Sequence, residues 1–554
     1  MNQLHTVFVN ATFNLFKSSH SSVRFLYLML ALQPFILSGF AQQKKTRINL
    51  EGADSLYYNE KRLGQGVQAV IGNVKFSHQN TVMYCDSAYN YRDSNMVVAF
   101  SNVHMIINDS IHLHGDKLEY LGNQNLAKVR KNVKLIKEDV TLTTQNLDYD
   151  RNKDVGYYFD KGKIVNGENT LYSELGFYYT NANEVFFKDS VKVHNPKYTM
   201  FSDTLKYFTL TKVVKILGPT FITSDENLIY SEDGFYNTEN NKATLIKNSY
   251  IQGKEQTLKG DTIFYDRNLQ VGEVFSKMEL IDTTNHVILK GDYGYYNDST
   301  KKALATNRAT LLQIEKGDTL YLHADTLRLD PINELEGKLI RAYKHVKFFR
   351  HDLQGRCDSM VYHSIDSTNT FYNDPVIWAQ GTQMMAETIT MYNKSNVLDR
   401  VELVNSALVV QQEDTTLFNQ IKGKKMVGYI RQNQLTRIEV DGNGQTVFYP
   451  KDKDIVIGVN RAESSNLTIY FKDQKANKIV MRVQPTGNIN PPFLLPPSEV
   501  KLNGFVWLEN FRPKQIEDIY IHDQLPKMEA RPTFSDYHID NAGIKTTLPE
   551  KQKK

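Results

Sequence analysis

From Asn49 to about residue 415 the chain alternates apolar and polar residues in short runs, and the runs return at a nearly fixed interval. The stretch Ile111–Tyr120, reading IHLHGDKLEY, carries the pattern: an acidic residue, an aliphatic residue two places on, and a tyrosine four places on. The acidic position begins at Asp54 and recurs at Asp86, Asp116, Glu174, Asp203, Glu232, Asp261, Asp292, Asp325, Asp358 and Glu387, with Gln145 filling the remaining place in register. Successive positions lie 29 residues apart five times running, from Asp116 to Asp261. Tyrosine occupies the fourth place in nine of the twelve units: Tyr58, Tyr120, Tyr149, Tyr178, Tyr207, Tyr236, Tyr265, Tyr296 and Tyr362. So regular a column, among 32 tyrosines in all, marks a repeat protein.

Each unit reads as two strand segments. One is acid-x-aliphatic-x-Tyr, with the acidic residue expected to open the strand. The other is Val-x-apolar, as in Val74/Phe76, Val103/Met105, Val133/Leu135, Val191/Val193, Val346/Phe348 and Val401/Leu403. A period of two puts these apolar residues on one face and Lys75, His104, Lys134, Lys192, Lys347 and Glu402 on the other. Turn-prone clusters such as Gly122-Asn123-Gln124-Asn125 and Asn166-Gly167-Glu168-Asn169 separate the segments. No stretch inside the array sustains a helical period. The fold class is all-β, an elongated array of ~29-residue units that each pack on their neighbours.

Two architectures satisfy such a repeat. An open jelly roll faces two antiparallel sheets in a V and leaves a lengthwise trough; a closed parallel β-helix fills its interior. Reversal signals at both ends of each segment favour the open form. So does the mixing of aromatics with Gly176, Gly234 and Gly294 at the aliphatic place, which would fill a closed coil unevenly.

Charge narrows the partners. The 66 basic and 62 acidic residues nearly cancel, and no part of the array carries a sustained basic face, so nucleic acid is not expected. At the N-terminus, Lys17 and Arg24 precede an apolar run from Phe25 to Leu37, followed by Gly39-Phe40-Ala41. A helix of that length spans only ~20 Å, short of a hydrocarbon core, so residues 1–41 read as a secretory signal peptide and the rest as exported to the periplasm. Cys85 and Cys357 belong to units nine repeats apart, too distant for a disulfide given strand spacings of ~4.8 Å, and two free thiols are expected.

The repeated elements Gly115-Asp116-Lys117-Leu118-Glu119-Tyr120, Asn132-Val133-Lys134-Leu135 and Gly260-Asp261-Thr262-Ile263-Phe264-Tyr265, behind an export signal, resemble the OstA-like family of periplasmic lipopolysaccharide-transport proteins. The likeness covers about residues 47–415 and, more loosely, extends to 483. It implies an LptA-like open β-jelly roll that shields lipid A acyl chains between its sheets. It also implies edge-to-edge joining to inner- and outer-membrane transport components of related fold. On this reading residues 42–415 form the array, 416–484 variant repeats that finish it, 485–525 a Pro-rich segment and a cap or docking element, and 526–554 a disordered tail. The chain carries about twice the repeats of the short bridge proteins in that family.

The implied trough would be lined by Leu118, Tyr120, Val133, Leu135, Leu147, Tyr149, Val191, Val193, Leu205, Tyr207, Ile263 and Tyr265. The competing reading makes the same face packed core, as in a structural or adhesive surface β-solenoid. The acidic column reads as turn hydrogen bonding rather than catalysis, because one acid per repeat supplies no unique pair of carboxylates. No enzyme, cofactor or metal is expected: His112, His114 and Asp116 alternate on one strand, but the other units lack the histidines. In the C-terminal element, Phe505, Trp507 and Arg512 are candidates for docking a partner or for capping the last strand.

Overall fold

The computed structural model describes residues 46–523, except 316, 333–336, 396, 433, 453–454, 473–474, 492–493 and 497, together with 537–539 and 545–547. The signal-peptide expectation lies outside these residues, as does most of the expected tail. In that tail, Tyr537–Ile539 pairs with Lys545–Thr547, a short ladder where no regular structure was expected.

The repeat is made of two long strands. Met96–Ile107, Ile111–Leu121, Leu126–Lys137 and Val140–Asp150 follow one another through tight hairpins, each pairing antiparallel with the next. Antiparallel pairing holds from the first strand, Asn49–Gly52, to the last of the array, Thr486–Asn490. A parallel β-helix is thereby excluded.

Each long strand is bent once. Between Phe100 and Val103 the ladder skips two residues, Ser101 and Asn102, whose φ angles of 61° and 48° are left-handed. The same two-residue bulge recurs at Lys131–Asn132, Asp189–Ser190, Lys247–Asn248, Lys344–His345 and Asn405–Ser406. A bulge of this kind kinks and twists its strand. Where the bend is sharpest the strand is cut in two: Val155–Tyr158 pairs only with neighbours in one sheet, and Gly162–Asn166 only with neighbours in the other. The halves that carry the tyrosines, with their partners, thus form one sheet, the halves that carry the Val-x-apolar residues form the other, and the bends line up as an elbow joining them. This is the open two-sheet jelly roll.

The acidic column sits at the elbow, in mid-strand where the strand is continuous (Asp86, Asp116, Asp203, Asp261, Asp292, Asp325 and Asp358) and immediately ahead of a strand, as expected, where it is cut or begins (Asp54, Glu174, Glu232 and Glu387). Its carboxylates accept hydrogen bonds from asparagine side chains in the bulge of the next strand: Asn102 to Asp86 and Asn132 to Asp116 at 2.8 Å, Asn248 to Glu232 at 2.9 Å, Asn405 to Glu387 at 3.0 Å. Asparagine suits the place twice over. It tolerates the left-handed backbone better than most side chains, and its amide donates to the acid. The Asn-Val pair in the sequence is therefore the bulge followed by its first inward residue.

Inward residues of both sheets merge into one core that runs from Ile48 to Leu467. Glycines at the aliphatic place make contact possible and leave no holes. A Cβ on Gly176 would lie 2.3 Å from the Tyr158 ring, and one on Gly294 2.5 Å from Met278 Cγ. Cys85 and Cys357 are free and buried, and burial pushes the Cys85 thiol up to about 11. Elbowed pairing continues through the variant repeats 416–484. It also enters the Pro-rich segment: Thr486–Asn490 pairs with Val459–Glu463, because the prolines at 485 and 491 flank this strand and do not interrupt it.

Beyond it the chain turns back as a strap across the outer face of the valine-bearing sheet. Three glutamines on that face, none more than 2% exposed, hold the strap. Gln420 Nε2 donates to the Val500 carbonyl at 2.9 Å, while its Oε1 accepts from the Leu502 amide at 2.9 Å. Gln383 repeats the motif with Val506 and Leu508, both at 2.8 Å, and Gln354 Oε1 accepts from Arg512 Nε at 2.8 Å. The Phe505 and Trp507 rings both pack against Phe418 at 5.3 Å. All three docking candidates thus make contacts within their own chain.

Candidate functional site

All twelve residues expected to line a trough point inward between the sheets, yet none is more than 6% exposed. Their side chains fill the space between the sheets. Inward packing alone does not close a V, because the rims opposite the elbow are strand ends and hairpin tips. From Thr46 to Lys338 those rims are tied together by polar latches.

His78 forms the first latch. Its Nε2 lies 3.1 Å from the Thr46 carbonyl and donates to it, so Nδ1 accepts from the Tyr120 hydroxyl at 2.7 Å; Arg151 in turn donates to that hydroxyl at 2.6 Å. Burial lowers the pKa of His78, against a rise from the Thr46 carbonyl, which keeps the ring neutral. Lys137 Nζ donates to the Thr180 carbonyl and to Asn183 Oδ1, both at 2.6 Å. Tyr207 donates to Asn166 Oδ1 at 2.7 Å, and Asn169 Nδ2 to Thr238 Oγ1 at 2.8 Å. Arg267 reaches the Lys197 carbonyl at 3.0 Å, Asn227 donates to the Tyr265 hydroxyl at 2.8 Å, and Tyr296 donates to Gln256. The last latch is the ion pair of Lys338 with Asp282 at 3.1 Å. Burial alone would raise the Asp282 carboxyl; hydrogen bonds from Asn285, Gln256 and Lys338 overcome it and hold the group at about 2.

Tyr120, Tyr207, Tyr265 and Tyr296 therefore have two jobs, core packing by the ring and latching by the hydroxyl, whereas the buried Tyr178 hydroxyl finds no partner. Toward the C-terminus the mouth changes. The fourth place is Leu329 and Met391 in later units, and the strands there lengthen to 14–16 residues, as in Lys302–Glu315, Asp318–Ile332 and Val397–Gln412. Inward apolar residues near these rims are only partly buried: Leu320, Leu329, Ile340, Tyr362, Met384, Leu398, Val409, Ile421, Ile430, Leu435 and Met481. A small cavity of about 20 Å³, lined by Ile251, Leu258, Tyr265 and Tyr296 among others, lies where the closed part ends. It would hold one water.

The molecule thus has an N-terminal portion whose mouth is latched and a C-terminal portion whose core continues but whose rim-side inward residues are partly exposed. None of the expected lining residues belongs to the C-terminal portion. The cue in the sequence was the longer strand runs, with Leu329 and Met391 in two of the later units at the fourth place. Both ends of the array also leave apolar residues bare: Leu56 and Tyr58 at the first edge are 48% and 55% exposed, and Ile489 at the last is 69% exposed.

His112 and His114 lie on the outer face, where His104 stacks on His114 at 4.1 Å and meets His112 Nδ1 at 3.1 Å. Asp116 does not join them, because it is taken by the elbow hydrogen bond from Asn132. Among the described residues no helix is long and apolar enough to cross a membrane.

Residues 45–203 and 220–316 match the model of a family described as OstA-like protein. Among solved structures, the chain is similar to LptH of Pseudomonas aeruginosa, described as the LptA homologous periplasmic component of the conserved lipopolysaccharide transport device. The two share 14% identity over 25% of this chain and 95% of that one, with a TM-score of 0.20. No curated protein matches.

Proposed function

We propose that this chain, an OstA-like protein through residues 45–203 and 220–316, is a non-enzymatic lipid conduit of the periplasm that shields lipopolysaccharide acyl chains on their way to the outer membrane. The observation that carries the proposal is the row of partly exposed inward apolar residues between 320 and 481, which offers an apolar surface along the mouth. Each CH₂ exposed to water costs ~0.8 kcal/mol, so several long acyl chains need a continuous apolar surface to travel on. Repetition makes successive stations nearly equivalent, which lets cargo slide without a deep trap. The sequence holds no nucleotide-binding loop, so the push comes from a partner that loads one end. The bare edges at Leu56/Tyr58 and Ile489 suit strand addition by transport components of related fold.

One observation favours the rival reading as a structural array: the interior from Val70 to Leu280 is packed. Photo-crosslinking separates the two. A crosslinker at Ile340 or Met384 should capture lipopolysaccharide in cells, and one at the buried Tyr207 should capture less. Adducts at the outward Lys206 without any at Ile340 or Met384 would defeat the conduit.

A further inference from the structure

One elbow brings histidines together. At Asp325 the bulge residue opposite is His345 in place of asparagine, with Nδ1 2.8 Å from Asp325 Oδ2. Two more histidines converge there, His323 from the same strand and His522 from the strap. We infer that His323, Asp325 and His522 bind a divalent transition-metal ion, zinc by the chemistry of its ligands, and that the ion fastens the strap to the sheet.

The strongest argument is His323. It is 3% exposed, and its Nδ1 donates to the Ala309 carbonyl at 2.8 Å. That bond fixes the tautomer, so Nε2 presents a lone pair. Nε2 has no hydrogen-bond partner, which is costly for a buried acceptor. A backbone carbonyl on one ring nitrogen with the other aimed into a cluster is the usual posture of a metal-ligating histidine. One ligand atom from each of His323, Asp325 and His522 lies within 4.8 Å of the others, with His522 Nε2 3.9 Å from Asp325 Oδ1.

His345 completes the arrangement from outside. It holds the second carboxylate oxygen and stacks on the His522 ring at 4.5 Å, orienting two ligands at once. Two imidazoles and a carboxylate gathered to ~2.0–2.2 Å make a three-ligand zinc site, with a water in the fourth position. Calcium and magnesium want oxygen ligands and fit poorly. A second group among the described residues, Asp318, His351 and Asp352, has two exposed members, and His351 already pairs with Asp318, so it carries no such argument. The inference stands apart from the lipid reading.

The test uses the purified full chain, without a polyhistidine tag, stripped with chelator and titrated with zinc chloride in a calorimeter. His323→Gln and His522→Ala should each bind one equivalent fewer than the unaltered chain. His345→Ala should weaken that equivalent by about 10–100-fold. Cobalt(II) chloride should give the intense visible bands of a tetrahedral site, lost in both ligand variants. Because His522 lies on the strap surface, its replacement leaves the array folded. Zinc should also slow proteolysis after Gly504 in the unaltered chain and have no effect on His522→Ala. Equal zinc stoichiometry in the unaltered chain and both ligand variants would overturn the inference, as would no binding at all.

Discussion

Replacing Tyr207 by phenylalanine tests whether polar latches hold the mouth shut. The hydroxyl donates to Asn166 Oδ1 at 2.7 Å and accepts from Asn169 Nδ2 at 3.3 Å. Asn169 keeps its shorter bond to Thr238, at 2.8 Å, so Asn166 is the group that loses its partner. With Asn166 at 0% exposure, its orphaned carbonyl bears the desolvation penalty of about 1–3 kcal/mol. That makes local opening of the mouth roughly five- to hundredfold more frequent. Global melting is a poor readout, since a long array unfolds in parts. Native-state hydrogen exchange is the suitable assay. Amides of the Gly162–Asn166 and Asn169–Ser173 hairpin should exchange faster in the variant, while those of Lys302–Glu315 stay unchanged. Unaltered protection in the hairpin would mean that apolar packing alone closes the mouth, and the latch argument would fail.

At the elbow, Asn132→Ala forces a Cβ-bearing residue without a compensating amide into the left-handed region and should destabilise strand Leu126–Lys137 by about 1–2 kcal/mol, read by urea-dependent exchange. Asn132→Gly removes the strain but keeps the lost hydrogen bond, and should fall closer to the unaltered chain. The first latch should depend on pH. Folding lowers the His78 pKa, so the unfolded chain binds the extra proton; the stabilisation is full above about pH 6.5 and is lost as pH falls below it. Denaturation of the N-terminal repeats followed at about pH 7.5 and 5.5 should show that loss, and His78→Gln should flatten it. Gln383→Ala removes both hydrogen bonds to the strap backbone and should release residues 500–512 to limited proteolysis without unfolding the array. An equally resistant strap would mean that Phe505, Trp507 and Leu508 hold it by packing.

The sequence by itself determined the repeat, its ~29-residue period and the inward set, because period-two alternation is local and each unit writes it again. Asp116 and Asn132 were both visible in the motif, but their hydrogen bond was not. It depends on a bulge that brings residues from neighbouring strands together, and nothing local marks a left-handed pair. Tyr207 was legible as a core ring; its role as a latch needed Asn166 from the opposite rim, a partner that only the fold of the V supplies. The same holds for the strap, whose glutamines Gln354, Gln383 and Gln420 sit on an outward face beside Val376, Trp378, Met385, Leu408 and Val410 and acquire a function only when a segment far along the chain returns to cover them. Alternation tells which side of a strand is apolar. Whether the rims are then tied together, as they are before Lys338, or leave inward residues partly exposed, as they do beyond it, is decided by strand length and rim chemistry acting across the sheets.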